Sequence, residues 1–174
     1  MGFLNTLLGN KEKQSTEYFE KGKALLINGD LAKGITLFRE SIRLHPKITD
    51  KIYNVAYALR GGAESKNKAV GGNLYYSDGF VELDTAIAVV ELLSEFESNK
   101  ADIWFQLGLL YDNHCYFDKA IKAYERAANL DPEGPDGADA LHNLGTLYFT
   151  HECRLLVMKP FGIPPSYQGL VDRR

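Results

Sequence analysis

Two stretches of this chain end alike, in IRLHP at residues 42–46 and ANLDP at residues 128–132. The residues upstream of each proline fall at matching offsets. Eight residues before Pro46 and Pro132 stand Phe38 and Tyr124, and twelve before stand Gly34 and Ala120. Seventeen before stand Gly29 and Cys115, and twenty-four before stand Gly22 and Gly108. Self-similarity over about 34 residues constrains a fold more than any single motif. Each repeat is one supersecondary unit that cannot bury its apolar face alone, so neighbours must supply the rest of the core. The spacing of small and large residues is helical on both sides of the glycine or cysteine, and each proline closes a helix it cannot continue. The pattern therefore predicts pairs of helices, with small residues where the two helices cross and large ones beside them.

Trp104, Leu107, Gly108 and Tyr111 read W-x2-L-G-x2-Y and are followed by Ala120, Tyr124, Ala127 and Pro132. This resembles the tetratricopeptide repeat nearly position for position. The first repeat, residues 15–48, fits through Tyr18, Gly22, Leu25, Gly34, Phe38, Ser41 and Pro46, and the third spans residues 101–134. The two prolines lie 86 residues apart, 18 more than two periods require. A second repeat with an insertion therefore occupies residues 49–100. Its first helix is TDKIYNVAYAL, with Ile52, Val55, Ala56 and Leu59 at the expected places. Its second is VELDTAIAVVELLSEF, packed through Ala86, Val90 and Leu93. The insertion, near residues 61–79, holds Gly61, Gly62, Gly71, Gly72 and Gly79 and is expected to break both helices. Leu141, Leu144, Gly145 and Tyr148 match a first helix alone, which predicts a capping helix over about residues 137–150. The small residues Gly22, Ala56, Gly108 and Gly145 are all expected at close helix crossings. Residues 1–14 read as a short amphipathic leader, and residues 151–174, with Pro160, Pro164 and Pro165, as an irregular tail. The fold class implied is an all-α, right-handed helical solenoid with a C-terminal capping helix.

The resemblance also implies a binding surface. Repeats of this family line a concave face with the first helix of each pair, and that face commonly receives a peptide. Carried over to this chain, the inward residues are Phe19, Lys23, Tyr53, Asn54, Tyr57, Phe105, Gln106, Leu109 and His142. The face so drawn is aromatic and apolar. Members that hold the terminal carboxylate of heat-shock chaperones use a clamp of lysines, asparagines and an arginine. Here Asn54 is retained, but Asp102 and Gln106 replace two of the cationic positions, so a carboxylate would meet repulsion.

Composition narrows the remaining possibilities. A net charge of −3 gives no basic footprint for nucleic acid. Cys115 and Cys153 make no disulfide framework, and the His114–Cys115 and His151–Cys153 pairs lack a partner at metal-site spacing. No phosphate loop, nucleophile elbow or paired-acid motif occurs, so neither a cofactor nor an enzymatic activity is expected. Phe3, Leu4, Leu7 and Leu8, followed by Lys11 and Lys13, form an apolar stripe. We expect it to cover the end of the first repeat, with membrane contact or lipidation of the M-G-x-x-x-[ST] terminus as rival uses. The expectation is a cytoplasmic scaffold or adaptor holding a peptide or helical segment of a protein partner. A small secretion-type chaperone and a peripheral membrane assembly factor are the alternatives.

Overall fold

The structure, a computed structural model, describes the backbone of residues 2–69 and 80–158 and the side chains of residues 9–63 and 82–149. Its helices are α1 (Gly2–Ile27), α2 (Leu31–Leu44), α3 (Thr49–Ala69), α4 (Phe80–Phe96), α5 (Ala101–Asn113), α6 (Phe117–Leu130) and α7 (Pro135–Met158). Among the described residues there is no strand, and no helix is long and apolar enough to cross a membrane. The fold class is all-α, as the repeat pattern predicts. The chain divides into two compact units, Met1–Ser98 and Asn99–Arg174.

In the first unit α1 and α2 form an antiparallel pair locked by small residues against large ones. A Cβ on Gly22 would lie 2.8 Å from the Phe38 ring, and a Cβ on Gly34 would lie 2.5 Å from Leu26. Each helix offers a glycine to a large side chain of the other, so the backbones approach closely. Gly29 reverses the chain with φ +85°, a conformation open to glycine at no steric cost. Asp30 then caps α2, its carboxylate accepting from the Lys33 backbone N–H at 3.2 Å. Ser15 and Ser41 are fully buried where the helices cross again, each hydroxyl donating to the other residue's carbonyl, at 2.9 and 2.7 Å. Two small polar side chains sit in the core there because each satisfies the other.

The second pair, α3 and α4, is built on Ile52, Ala56, Ala86, Val90 and Leu93, all buried. The 3-10 turn Pro46–Ile48 leads into it, and the Thr49 hydroxyl lies 2.8 Å from the Glu97 carboxylate and 3.0 Å from the Pro46 carbonyl. Arg39 of α2 makes a two-pronged hydrogen bond to Glu95 of α4 through both terminal nitrogens. Those bonds hold the Glu95 carboxyl below its ordinary range. A depressed carboxyl pKa stabilises above the unfolded-state value and loses that contribution as pH falls through the folded-state value. The two side chains are 31% and 51% exposed, so water and salt screen the pair. Arg39→Ala is expected to cost no more than about 1 kcal/mol. Urea titrations at neutral pH should show that deficit shrinking at roughly 1 M salt, and also in acid.

In the second unit α5 and α6 repeat the lock, and α7 packs against both. A Cβ on Gly108 would lie 2.4 Å from the ring of the fully buried Tyr124. Cys115 holds the reversal with φ +62°, the position at which the first repeat has Gly29, so its role is that of a turn residue. Pro46 and Pro132 each lie two residues beyond the helices they close, α2 and α6.

Four expectations change. The leader over residues 1–14 is no separate element, because nothing between Gly2 and Ile27 interrupts α1. The stripe Phe3, Leu4, Leu7 and Leu8 lies outside the described side chains. Gly61 and Gly62 do not end α3, which runs on to Ala69 with Ala63 buried. A helical glycine costs only about 1 kcal/mol, and the alanine, glutamate and lysines that follow sustain the helix. Residues 70–79 of the insertion lie outside the described residues. The last helix extends beyond position 150 to Met158, and residues 159–174 of the tail lie outside the described residues. Finally, Gly145 marks no close crossing among the described residues, since a Cβ there would have none of their atoms within 4 Å.

Candidate functional site

The first helices of the repeats carry the predicted binding residues, and burial sorts them. On α3 the buried face is Ile52, Ala56 and Ala63. The opposite face presents Asn54 and Tyr57 to solvent, with Tyr53 half-buried beside them. Tyr57 is 58% exposed, and the Arg60 guanidinium sits 5.1 Å above its ring. That cation steadies an aromatic side chain at the surface by roughly 0.5–1 kcal/mol. Arg60 is absent from the predicted set, although its i, i+3 spacing from Tyr57 on a helix is the signal for it. On α1, Lys23 is exposed. Phe19 is not available to a ligand in this arrangement. It is only 5% exposed and stacks on Phe38, with ring centroids 5.5 Å apart and planes 15° apart. Phe38 fills the space beside Gly22, and stacking on that ring places Phe19 in the core.

In the second unit Phe105, Gln106 and Leu109 lie half-buried on α5, while Ile103, Leu107 and Leu110 of the same helix are buried. Phe105 leans on Tyr124, with centroids 6.1 Å apart, so part of its surface serves packing and part faces outward. His142 is exposed on α7. Tyr53, Asn54 and Tyr57 thus come together on α3, and Phe105, Gln106 and Leu109 on α5.

The electrostatics of this unit are acidic. Burial first, and then the neighbouring Asp102, Asp131 and Asp139, push the Asp136 carboxyl above its ordinary range. Four carboxylates near the start of α5 and α7 repel one another and any further anion. Burial likewise raises Asp112, and burial together with the Asp112 charge raises the Tyr124 hydroxyl. Tyr124 is therefore a neutral core residue. Among the described residues no group of three or more histidine, cysteine or acidic side chains is placed to hold a metal ion.

Comparison with known proteins gives likenesses of three kinds: a family model, curated relatives and a solved structure. Residues 101–133 match the family model described as tetratricopeptide repeat. The chain is 25% identical over 138 residues to the photosystem I assembly protein Ycf3 of Prochlorococcus marinus, covering 71% of each chain. It is also 25% identical over 141 residues to the Ycf3 protein of Prochlorococcus marinus subsp. pastoris, covering 73% of each. Among solved structures, MamA from Desulfovibrio magneticus RS-1 is similar with a TM-score of 0.48 and 21% identity, over 84% of this chain and 71% of that one.

Proposed function

We propose that this chain, a tetratricopeptide-repeat protein, is a scaffold of the assembly-factor kind that holds a segment of a partner on the outward faces of its first helices. The observation that carries the reading is Tyr57, a large aromatic side chain kept 58% exposed on a rigid helix, with Arg60 over its ring. Aromatic and arginine side chains concentrate binding energy where a partner can desolvate them. Asn54 and Lys23 lie exposed on α3 and α1 and set orientation more than strength. In the second unit Phe105, Gln106 and Leu109 offer a half-buried, mainly apolar strip on α5. The four carboxylates about Asp136 favour a neutral or basic segment there and oppose a terminal carboxylate.

The curated relatives are named for the assembly of photosystem I. We take from them only the class of activity, assembly, and this supports a binding protein rather than an enzyme. Partner capture followed by mass spectrometry would identify the ligand, and titration calorimetry would then compare the parent with Tyr57→Ala and Phe105→Ala. Tyr57→Ala is expected to weaken binding by roughly 1–3 kcal/mol, about 5- to 150-fold, with an unchanged melting curve. If both variants remain folded and bind as tightly as the parent, the first-helix faces are not the site.

A further inference from the structure

Among the described residues, the outer face of α7 is a repeat seam without its second helix. In the first unit the seam has a simple rule. Gly22 receives Phe38 and Gly34 receives Leu26, so each helix contributes a small residue followed four positions later by a large one, and the helices run antiparallel. Gly108 receives Tyr124 in the second unit by the same offset of sixteen residues. On α7 the rule reappears as Gly145 followed by Phe149, but neither residue has its counterpart. A Cβ on Gly145 would meet no atom within 4 Å, Phe149 is 71% exposed, and Leu141 and Tyr148 beside them are 54% and 45% exposed. The reversal found at Gly29 and Cys115, seven residues past the seam glycine, would fall at Glu152. There α7 continues as helix to Met158, so the chain makes no reversal at the position where the first and third repeats turn into their second helices.

We infer that a second copy of this chain fills the seam with its own α7, antiparallel, so that Gly145 of each helix receives Phe149 of the other. α7 meets its own requirement because it carries the small residue and the large one at the spacing of the α1–α2 lock. The register set by Gly145 against Phe149 places position 138, alanine, opposite position 156, leucine. The contact is isologous, with the same residues serving both sides, and it closes at two chains. It also covers an apolar patch that a soluble chain would otherwise leave in water. This seam is independent of the partner-binding reading, because Tyr57 and Phe105 take no part in it.

The test is sedimentation equilibrium of the full chain at roughly 1–200 µM, where an interface as small as one helix face associates. The parent mass is expected to rise from 19.5 kDa toward twice that value. Phe149→Ala and Gly145→Leu should each weaken the dimer at least roughly tenfold. Circular dichroism should show both variants folded, since Phe149 is exposed and Gly145 is open. A parent that stays at the single-chain mass throughout would overturn the proposal and leave the seam to a helix of a different protein. A dimer indifferent to both substitutions would also overturn it, by placing the contact on another surface.

Discussion

Phe38→Ala is expected to remove about 3–5 kcal/mol of folding stability, the cost of emptying a large aromatic site in a core. Phe38 is fully buried, stacks on Phe19 and lies against Gly22. Three features decide the magnitude. The ring fills the space at the centre of the α1–α2 lock, so its loss leaves a cavity between two backbones. The opposing residue is a glycine with no side chain to move into that cavity, and Phe19 is fixed by its own burial. Relaxation is therefore limited, which puts the site at the costly end of such substitutions. Against a total of about 5–15 kcal/mol, that loss is a large fraction of what keeps a domain folded. Thermal and urea unfolding of the variant should show a large fall in midpoint. A midpoint within about 2 °C of the parent would mean that the ring is not the keystone of the first pair.

The lock was legible in the sequence because packing small against large must recur wherever the helix pair recurs. The offset of sixteen residues from Gly22 to Phe38, and again from Gly108 to Tyr124, follows from the proline alignment alone. Cys115 could be placed at a turn for the same reason, and its φ of +62° agrees. What escaped the sequence has physical causes. Ser15 reads as a polar surface residue until Ser41 supplies its hydrogen bonds across the helix crossing. Phe19 and Phe105 occupy equivalent positions, three residues before Gly22 and Gly108, and the family pattern treats them alike. In the structure Phe19 stacks on Phe38 at 15°, whereas Phe105 meets Tyr124 tilted at 46°. Only the first is lost to the core, a difference of ring orientation that residue spacing does not encode. The length of α7 escaped because no glycine or proline stands near position 152 to stop the helix, and the repeat pattern suggested a stop that the local residues do not enforce.

Gly108→Leu should destabilise the protein by at least about 2 kcal/mol through overpacking. The first atom added, Cβ, would already lie 2.4 Å from two carbons of the Tyr124 ring and 2.9 Å from a third. Tyr124 has nowhere to withdraw. It is fully buried, Phe105 stands 6.1 Å from it centroid to centroid, and its hydroxyl end is enclosed as well. Moving the helices apart instead would loosen Leu107, Leu110, Ala120 and Ala127, all buried in the same seam. For a chain of this length each kcal/mol shifts the midpoint by roughly 2–4 °C, so a fall of at least about 4 °C is expected. Gly145→Leu is the internal control, because it makes the same change at the equivalent repeat position. With no described atom within 4 Å of its Cβ, leucine there meets no clash among the described residues. It should also gain up to about 1 kcal/mol by replacing a glycine inside a helix. The two substitutions therefore move the midpoint in opposite directions when melted at concentrations where the chain is monomeric. Equal effects from both would sink the assignment, because the asymmetry rests on one observation: Tyr124 covers Gly108, and no described residue covers Gly145.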